Sequence, residues 1–176
     1  MSDRMPPADA YEYDDDDIPW ADPQIRINYE AALGRLILAH NEMDRHLTLL
    51  IEKCLEKLGH PPEHDRFRFG RFTARLNNLR TLNNMSAGLP IAHVDFDGLE
   101  AVNGQRNIVA HGHFEQNPFM GDYILITNKE THRDFSVERL NDITVSLEKQ
   151  TTALKPIIYF AFDEIEFEFP ESATSE

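Results

Sequence analysis

The sequence predicts a mainly α-helical fold, a bundle of about four helices with a β-hairpin inserted before the last long helix. Two observations support this prediction. Apolar residues recur at spacings of three and four over most of residues 22–162, which is the period of one helix face. Between residues 113 and 135 the pattern changes to the β-branched and aromatic runs that are typical of strands. The fold class therefore follows from the period of the hydrophobic pattern.

The first predicted helix begins at Asp22 and Pro23, since Asp is a good N-cap and Pro is well suited to the first helical position. It continues for roughly 35 residues, or ~50 Å at 1.5 Å per residue. Gly59, followed by Pro61 and Pro62, ends it. Its predicted inner face, which includes the single cysteine, consists of Leu33, Leu36, Ile37, Met43, Leu47, Leu50, Ile51, Cys54, Leu55 and Leu58.

The second and third helices are predicted at about 65–86 and 96–111. The third helix has Asp95 or Asp97 as its cap, and Gly112 is suited to the left-handed position that ends many helices. The apolar residues expected to face inward are Phe69, Phe72, Leu76, Leu79 and Met85 on the second helix and Phe96, Leu99 and Val102 on the third.

A β-hairpin and a fourth helix complete the predicted domain. The strands are 123–127 and 131–135, and Asn128, Lys129 and Glu130 form the turn between them. Ser136 caps the fourth helix, and Pro156 kinks or ends it. We expect its inward face to consist of Leu140, Ile143, Leu147 and Leu154.

The net charge of -14 is concentrated at the two ends of the chain. The first 23 residues hold eight acids against one base, and the last 16 hold six acids and no base, so the segment between them holds 17 acids and 16 bases. We expect residues 1–21 to form a disordered acidic tail, 22–162 a helical domain and 163–176 a second acidic tail. Because the domain is nearly neutral, the overall acidity does not exclude RNA as a partner.

Several classes of protein find no support in the sequence. Residues 1–7 lack a basic region with an apolar stretch behind it, so a cytoplasmic protein is expected. The longest apolar run, 157–162, is too short to span a membrane, so no membrane partner is expected. No P-loop, Rossmann fingerprint or G-x-S-x-G motif occurs. His111 and His113 lack companion ligands, so we expect neither a metal ion nor another cofactor.

The strongest functional clue is the segment Arg106-Asn107-Ile108-Val109-Ala110-His111. An Arg followed five positions later by a His occurs twice, because Arg35 and His40 have the same spacing. The second occurrence differs in its context: a polar residue follows the Arg, small residues flank the His, and the segment ends a predicted helix. Because Arg35 and His40 lie in an apolar stripe, we interpret them as a surface arginine beside a core histidine.

The string from Arg106 to Gly112 resembles the catalytic motif of the HEPN family, an Arg-polar-x3-His sequence late in a helical bundle. The resemblance implies that residues 22–162 form a HEPN-like domain. It also implies a metal-independent endoribonuclease of the toxin or RNA-defence type, in which the Arg and His of two protomers meet across a homodimer interface. RNA, a second copy of the chain and an antitoxin-like protein are the implied partners.

By this resemblance, the catalytic residues are Arg106, Asn107 and His111. Some active relatives have a tyrosine two positions after the His, where this chain has His113, so the role of that position stays open. Cleaving RNA without a metal requires a base, an acid and a cation, and His and Arg supply these groups. Helix positions five apart point about 140° away from each other, so a second protomer would help to complete the site.

The alternative function is a non-catalytic HEPN-like module that binds a protein or a nucleotide. The motif residues also have a purely structural interpretation, in which Arg106 pairs with an acid and His111 bonds the last carbonyls of its helix. Residues 66–80 contain no acid and allow two interpretations. Their arginines are Arg66, Arg68, Arg71, Arg75 and Arg80. Arg68, Arg71 and Arg75 fall on one predicted helix face and form either an RNA-binding phosphate track or a solvated face with ion pairs to the first helix.

Overall fold

The computed structural model describes residues 20–59, 66–85 and 88–163, so most of both predicted tails lies outside the described residues. Within them, the chain forms a helical bundle with a small antiparallel sheet before the last long helix, which confirms the predicted fold class. The elements in order are α1 (Pro23–Lys57), α2 (Phe72–Met85), α3 (Phe96–His111), β1 (His113–Gln116), β2 (Tyr123–Ile126), β3 (Thr131–His132) and α4 (Val137–Pro156).

Helix α1 begins as predicted and has 35 residues. The side chain of Asp22 accepts a hydrogen bond from the backbone N–H of Gln24 at 2.8 Å, and Pro23 is the first helical residue. The predicted inner face is largely buried, with Cys54 fully inside the core, where burial raises the pKa of its thiol to about 12. Ile37 is an exception: it is exposed, because it lies about 100° around the helix from the fully buried Leu36.

Helices α1 and α3 pack antiparallel. His40 contacts Asn103, whereas Tyr29, earlier on α1, contacts Phe114, which follows α3. The start of α1, the end of α3 and the sheet therefore lie at the same end of the bundle, and we call this the sheet end.

Helix α2 begins at Phe72, later than predicted, because the preceding residues form a separate turn. Residues 66–68 are a short 3₁₀ turn, and Gly70 has a φ of 106°, a conformation that favours glycine. This interruption shifts the helical phase, and Phe69, predicted to face inward, is 62% exposed. Met85 was also predicted to face inward and is exposed at the last residue of the helix.

Helix α3 begins and ends where predicted, with the side chain of Asp95 accepting from the N–H of Gly98 at 2.9 Å. The prediction for Gly112 is wrong. This residue is extended, with φ -90° and ψ 161°, and leads directly into β1. Glycine is required here for space, because a Cβ atom would collide with the side chain of Leu125 on β2.

The sheet contains the predicted hairpin and one further strand. Strand β2 pairs with β3, as expected, and also with β1, in the register Phe114 opposite Leu125. Helix α4 follows, with Ser136 as its predicted cap, and ends at Pro156, where a π-helical turn continues over Ile157–Ala161. The helices in the described ranges are too short or too polar to cross a membrane.

Candidate functional site

The three predicted catalytic residues lie in the last two turns of α3, at the sheet end of the bundle. His111 is the last residue of the helix and is exposed, whereas Arg106 and Asn107 are half-buried. Arg106 Nη1 donates a hydrogen bond to Asn107 Oδ1 at 3.3 Å. The structure therefore brings Arg106 and Asn107 together and leaves His111 about 140° around the helix from Arg106.

Neither Arg106 nor His111 makes the contact that was expected of it if the motif were only structural. Across the described ranges, Arg106 forms no ion pair with a carboxylate, and its side chain bonds only to Asn107. Within the same described ranges, the side chain of His111 makes no hydrogen bond to the last carbonyls of α3. An arginine without a carboxylate partner is the type of group that binds a phosphate or another anion.

A buried polar contact lies one helical turn from Arg106. Nε2 of His40, a residue that is 5% exposed, is 3.3 Å from Asn103 Oδ1. Because an amide oxygen only accepts, Nε2 donates and Nδ1 is unprotonated. Nδ1 is buried and has no partner in the part of the chain that the structure describes. Burial lowers the pKa of His40, and the positive charge of Arg106 lowers it further, so His40 is neutral at pH 7.

The other residue of the first Arg/His segment is outside this contact. Arg35 is exposed and donates a hydrogen bond to Asn141 Oδ1 at 3.1 Å. The interpretation of a core histidine beside a surface arginine is therefore confirmed for Arg35 and His40.

Two of the three predicted RNA-binding arginines pair with acids of α1. Arg75 is 7% exposed, and its guanidinium forms an ion pair with Asp44 and a hydrogen bond to Thr48. Arg68 pairs with Glu52 at 3.2 Å. These two residues follow the alternative interpretation, that of ion pairs to the first helix. The prediction that Arg68 shares a helix face with Arg75 is wrong, because Arg68 precedes α2.

The other arginines of this segment are in different surroundings. Arg71 is exposed and forms no ion pair with a described residue. Arg80 pairs with Asp97 at 3.1 Å and with Glu100 at 2.9 Å, both on α3. Of the predicted phosphate track, Arg71 is thus the member whose side chain is exposed to solvent.

An open cleft with a volume of about 520 Å³ separates α1 from the turn that precedes α2. Sequence reasoning missed it, because its acids come from α1 and its arginines and aromatic ring from a later segment. The residues that line it are Asp44, Thr48, Glu52, Arg68, Phe69, Gly70 and Arg75.

Within the described residues, no three His, Cys, Asp or Glu side chains are grouped so that they could hold a metal ion. Comparison of the chain with family models, with curated proteins and with solved structures found no match. The resemblance to the HEPN family therefore rests on the motif at Arg106 to Gly112 and on the order of the helices.

Proposed function

We propose that this protein is a metal-independent endoribonuclease that acts as a homodimer. The observation that carries the proposal is the surroundings of the motif: Arg106 has no carboxylate partner among the described residues, and His111 is exposed at the end of the same helix. A cation for the phosphate and a group for proton transfer are therefore accessible at one end of α3.

In the proposed reaction, the 2′-oxygen of a ribose attacks the adjacent phosphorus, and the bond from phosphorus to the 5′-oxygen of the next nucleotide breaks. His111 accepts the proton of the 2′-hydroxyl and returns it to the departing 5′-oxygen. Arg106 stabilises the negative charge on the phosphorane oxygens, and Asn107 positions the guanidinium through the 3.3 Å hydrogen bond. The products are a 2′,3′-cyclic phosphate and a 5′-hydroxyl end.

The angle between the two residues supports a dimeric site. Positions five apart point about 140° away from each other, so a phosphate bound to Arg106 lies far around the helix from His111 of the same protomer. A two-fold axis beside the end of α3 would place Arg106 of one protomer opposite His111 of the other. Each dimer would then contain two composite sites.

The first test is cleavage of single-stranded RNA in excess EDTA, with analysis of the product ends. We expect 2′,3′-cyclic phosphates and a loss of ~100-fold or more for His111→Ala and for Arg106→Ala. Arg35→Ala is the matched control, because Arg35 has the same spacing to a histidine but lies outside the site. It should keep the wild-type rate.

Complementation tests the composite site. An equal mixture of Arg106→Ala and His111→Ala protomers should recover roughly one quarter of the wild-type activity, because half of the dimers are mixed and each mixed dimer has one complete site. Light scattering should report a dimer. A fully active monomer would refute the dimeric site. Equal trace activity in the wild type and in His111→Ala would refute the proposed endoribonuclease activity. The non-catalytic interaction module would then be the better proposal.

A further inference from the structure

The cleft between α1 and the turn before α2 is not used by the proposed reaction. We infer that it binds a guanine base of single-stranded RNA, which stacks on Phe69 and is recognised by the ion pair between Glu52 and Arg68. This inference rests on the proposed function for the choice of RNA as the ligand.

The first evidence is the position of Phe69. Its side chain is 62% exposed at a cleft whose other lining is largely polar, where it contributes little to the core. The guanidinium carbon of Arg68 is 5.0 Å from the centre of its ring, and the positive φ of Gly70 sets the turn that presents it. Aromatic rings and guanidinium planes in such positions stack with the bases of single-stranded nucleic acids.

The second evidence is the hydrogen-bonding pattern of the ion pair. Arg68 Nη1 is 3.2 Å from Glu52 Oε1, and both side chains are about one third exposed, so the pair is accessible from the cleft. An arginine beside a glutamate presents N–H donors next to carboxylate acceptors. Guanine has the complementary edge, with the acceptor O6 beside the donors N1–H and N2–H. Adenine and cytosine instead have an amino group where Arg68 would donate, and uracil has an acceptor, O2, in place of the second donor of guanine.

The charge of the cleft favours a base over a phosphate. Its two carboxylates, on Asp44 and Glu52, balance the two guanidinium groups of Arg75 and Arg68. Arg75 is buried and already bound to Asp44 and Thr48, so it forms a fixed floor. The volume of about 520 Å³ is within the range of small-ligand sites, roughly 300–1,000 Å³.

The cleft extends along α1 away from the proposed catalytic residues. Asp44 lies one turn from His40 on α1, and Arg106 lies one turn from Asn103 on α3, in the opposite direction because the helices are antiparallel. With His40 and Asn103 in contact, this places Asp44 about 10 Å from Arg106 along the bundle, for seven residues at 1.5 Å each, and Glu52, eight residues further along α1, about 22 Å from it. An RNA strand that contacts both the Glu52–Arg68 pair and Arg106 must therefore span about 22 Å along the bundle.

The experiment measures binding of labelled cytidine hexanucleotides that carry one central guanine, inosine or adenine. The protein is the full chain with His111→Ala, so that cleavage does not interfere. We expect the guanine oligonucleotide to bind most tightly and inosine, which lacks the N2 amino group, to be intermediate. Phe69→Ala should weaken binding of the guanine oligonucleotide roughly 5- to 100-fold, whereas Phe69→Trp should preserve it.

Glu52→Gln tests base recognition, because an amide cannot accept both guanine donors. It should weaken the preference for guanine over adenine, and the part of the preference that depends on donation from Arg68 to O6 should remain. The matched controls are Phe119→Ala, another exposed aromatic, and Glu56→Gln, another exposed acid of α1 that pairs with a cation. Both lie outside the cleft and should leave the affinity and the preference unchanged.

The outcomes separate this inference from the proposed function. Equal affinity for guanine and adenine, or a guanine preference that neither Phe69→Ala nor Glu52→Gln reduces, would overturn the inference even if the wild type cleaves RNA. A guanine preference that depends on Phe69 and Glu52 would support it, even if the wild type shows no cleavage and the ribonuclease proposal fails.

Discussion

The chain contains the spacing Arg-x4-His twice, and the two segments lie in opposite surroundings. His40 is in the middle of α1 and buried, whereas His111 is the last residue of α3 and exposed. Arg35 is exposed and bonded to an amide of α4, whereas Arg106 is half-buried and has no carboxylate partner in the described ranges. The spacing fixes the angle between two side chains, but the neighbouring elements decide whether a substrate can reach them.

The position of each histidine along its helix explains the difference. At His40, α1 packs against other helices, and the ring contacts both Asn103 of α3 and Phe72 of α2. At His111, α3 ends and the chain turns directly into a short strand. The first segment is therefore part of the core, and the second ends at the surface.

The largest expected difference concerns stability. His40→Ala removes a buried ring and the donor to Asn103 Oδ1, so we expect a loss of about 2–4 kcal/mol in the free energy of unfolding. His111→Ala at an exposed position should change it by less than about 0.5 kcal/mol. Urea denaturation of both variants measures the contrast. Equal midpoints would mean that the two segments are not distinguished by burial.

The glycine next to each segment gives the second contrast. Gly112→Ala should destabilise the fold by about 1–3 kcal/mol, because the new Cβ atom collides with Leu125. Gly34→Ala places a methyl group in open space within a helix and should stabilise it by about 0.5–1 kcal/mol. Thermal denaturation should therefore shift in opposite directions. A shift in the same direction would contradict the packing described at Gly112.

The smallest expected effect is on the pH dependence of stability. Burial and the positive charges of Arg106 and Arg75 lower the pKa of His40, while Asp44 opposes this change. Below about pH 6.5 the unfolded chain then binds more protons at this position than the folded chain. The contribution of neutral His40 to the free energy of unfolding should be fully present above about pH 6.5. It should decrease as the pH falls from there towards the lower pKa of the folded state.

The His40 contribution can be at most about 1.4 kcal/mol per pH unit, since one proton is involved. Denaturation at a series of pH values should show that His40→Ala flattens the dependence relative to the wild type. If His40→Ala keeps the wild-type slope between pH 5 and 7, another group is responsible.

Elements with both a strong hydrophobic period and a capping residue could be predicted from the sequence. Asp22 with Pro23, and Ser136, mark the starts of α1 and α4 correctly, because capping depends on residues within a few positions of the helix end. The location of Arg106 to His111 at the end of α3 could be predicted for the same reason.

Features that depend on distant partners could not be predicted. Strand β1 has Phe114 as its one strongly apolar residue, and its pairing with β2 defines it. Phe69 keeps the spacing of the α2 face, but the turn at Gly70 changes its direction. Arg75 looks like a surface cation until its pairing with Asp44, on another helix, is known. The cleft was missed for this last reason.

Because Cys54 is buried, the reactivity of its thiol reports local unfolding of the chain. The chain has no other thiol, and a thiol reacts with alkylating reagents as the exposed thiolate. With this sulfur inside the core and its pKa raised to about 12, labelling requires a local unfolding event around the last turns of α1. The rate of alkylation therefore measures how often the chain unfolds locally at the end of α1 remote from the sheet, and no cysteine has to be introduced for this purpose.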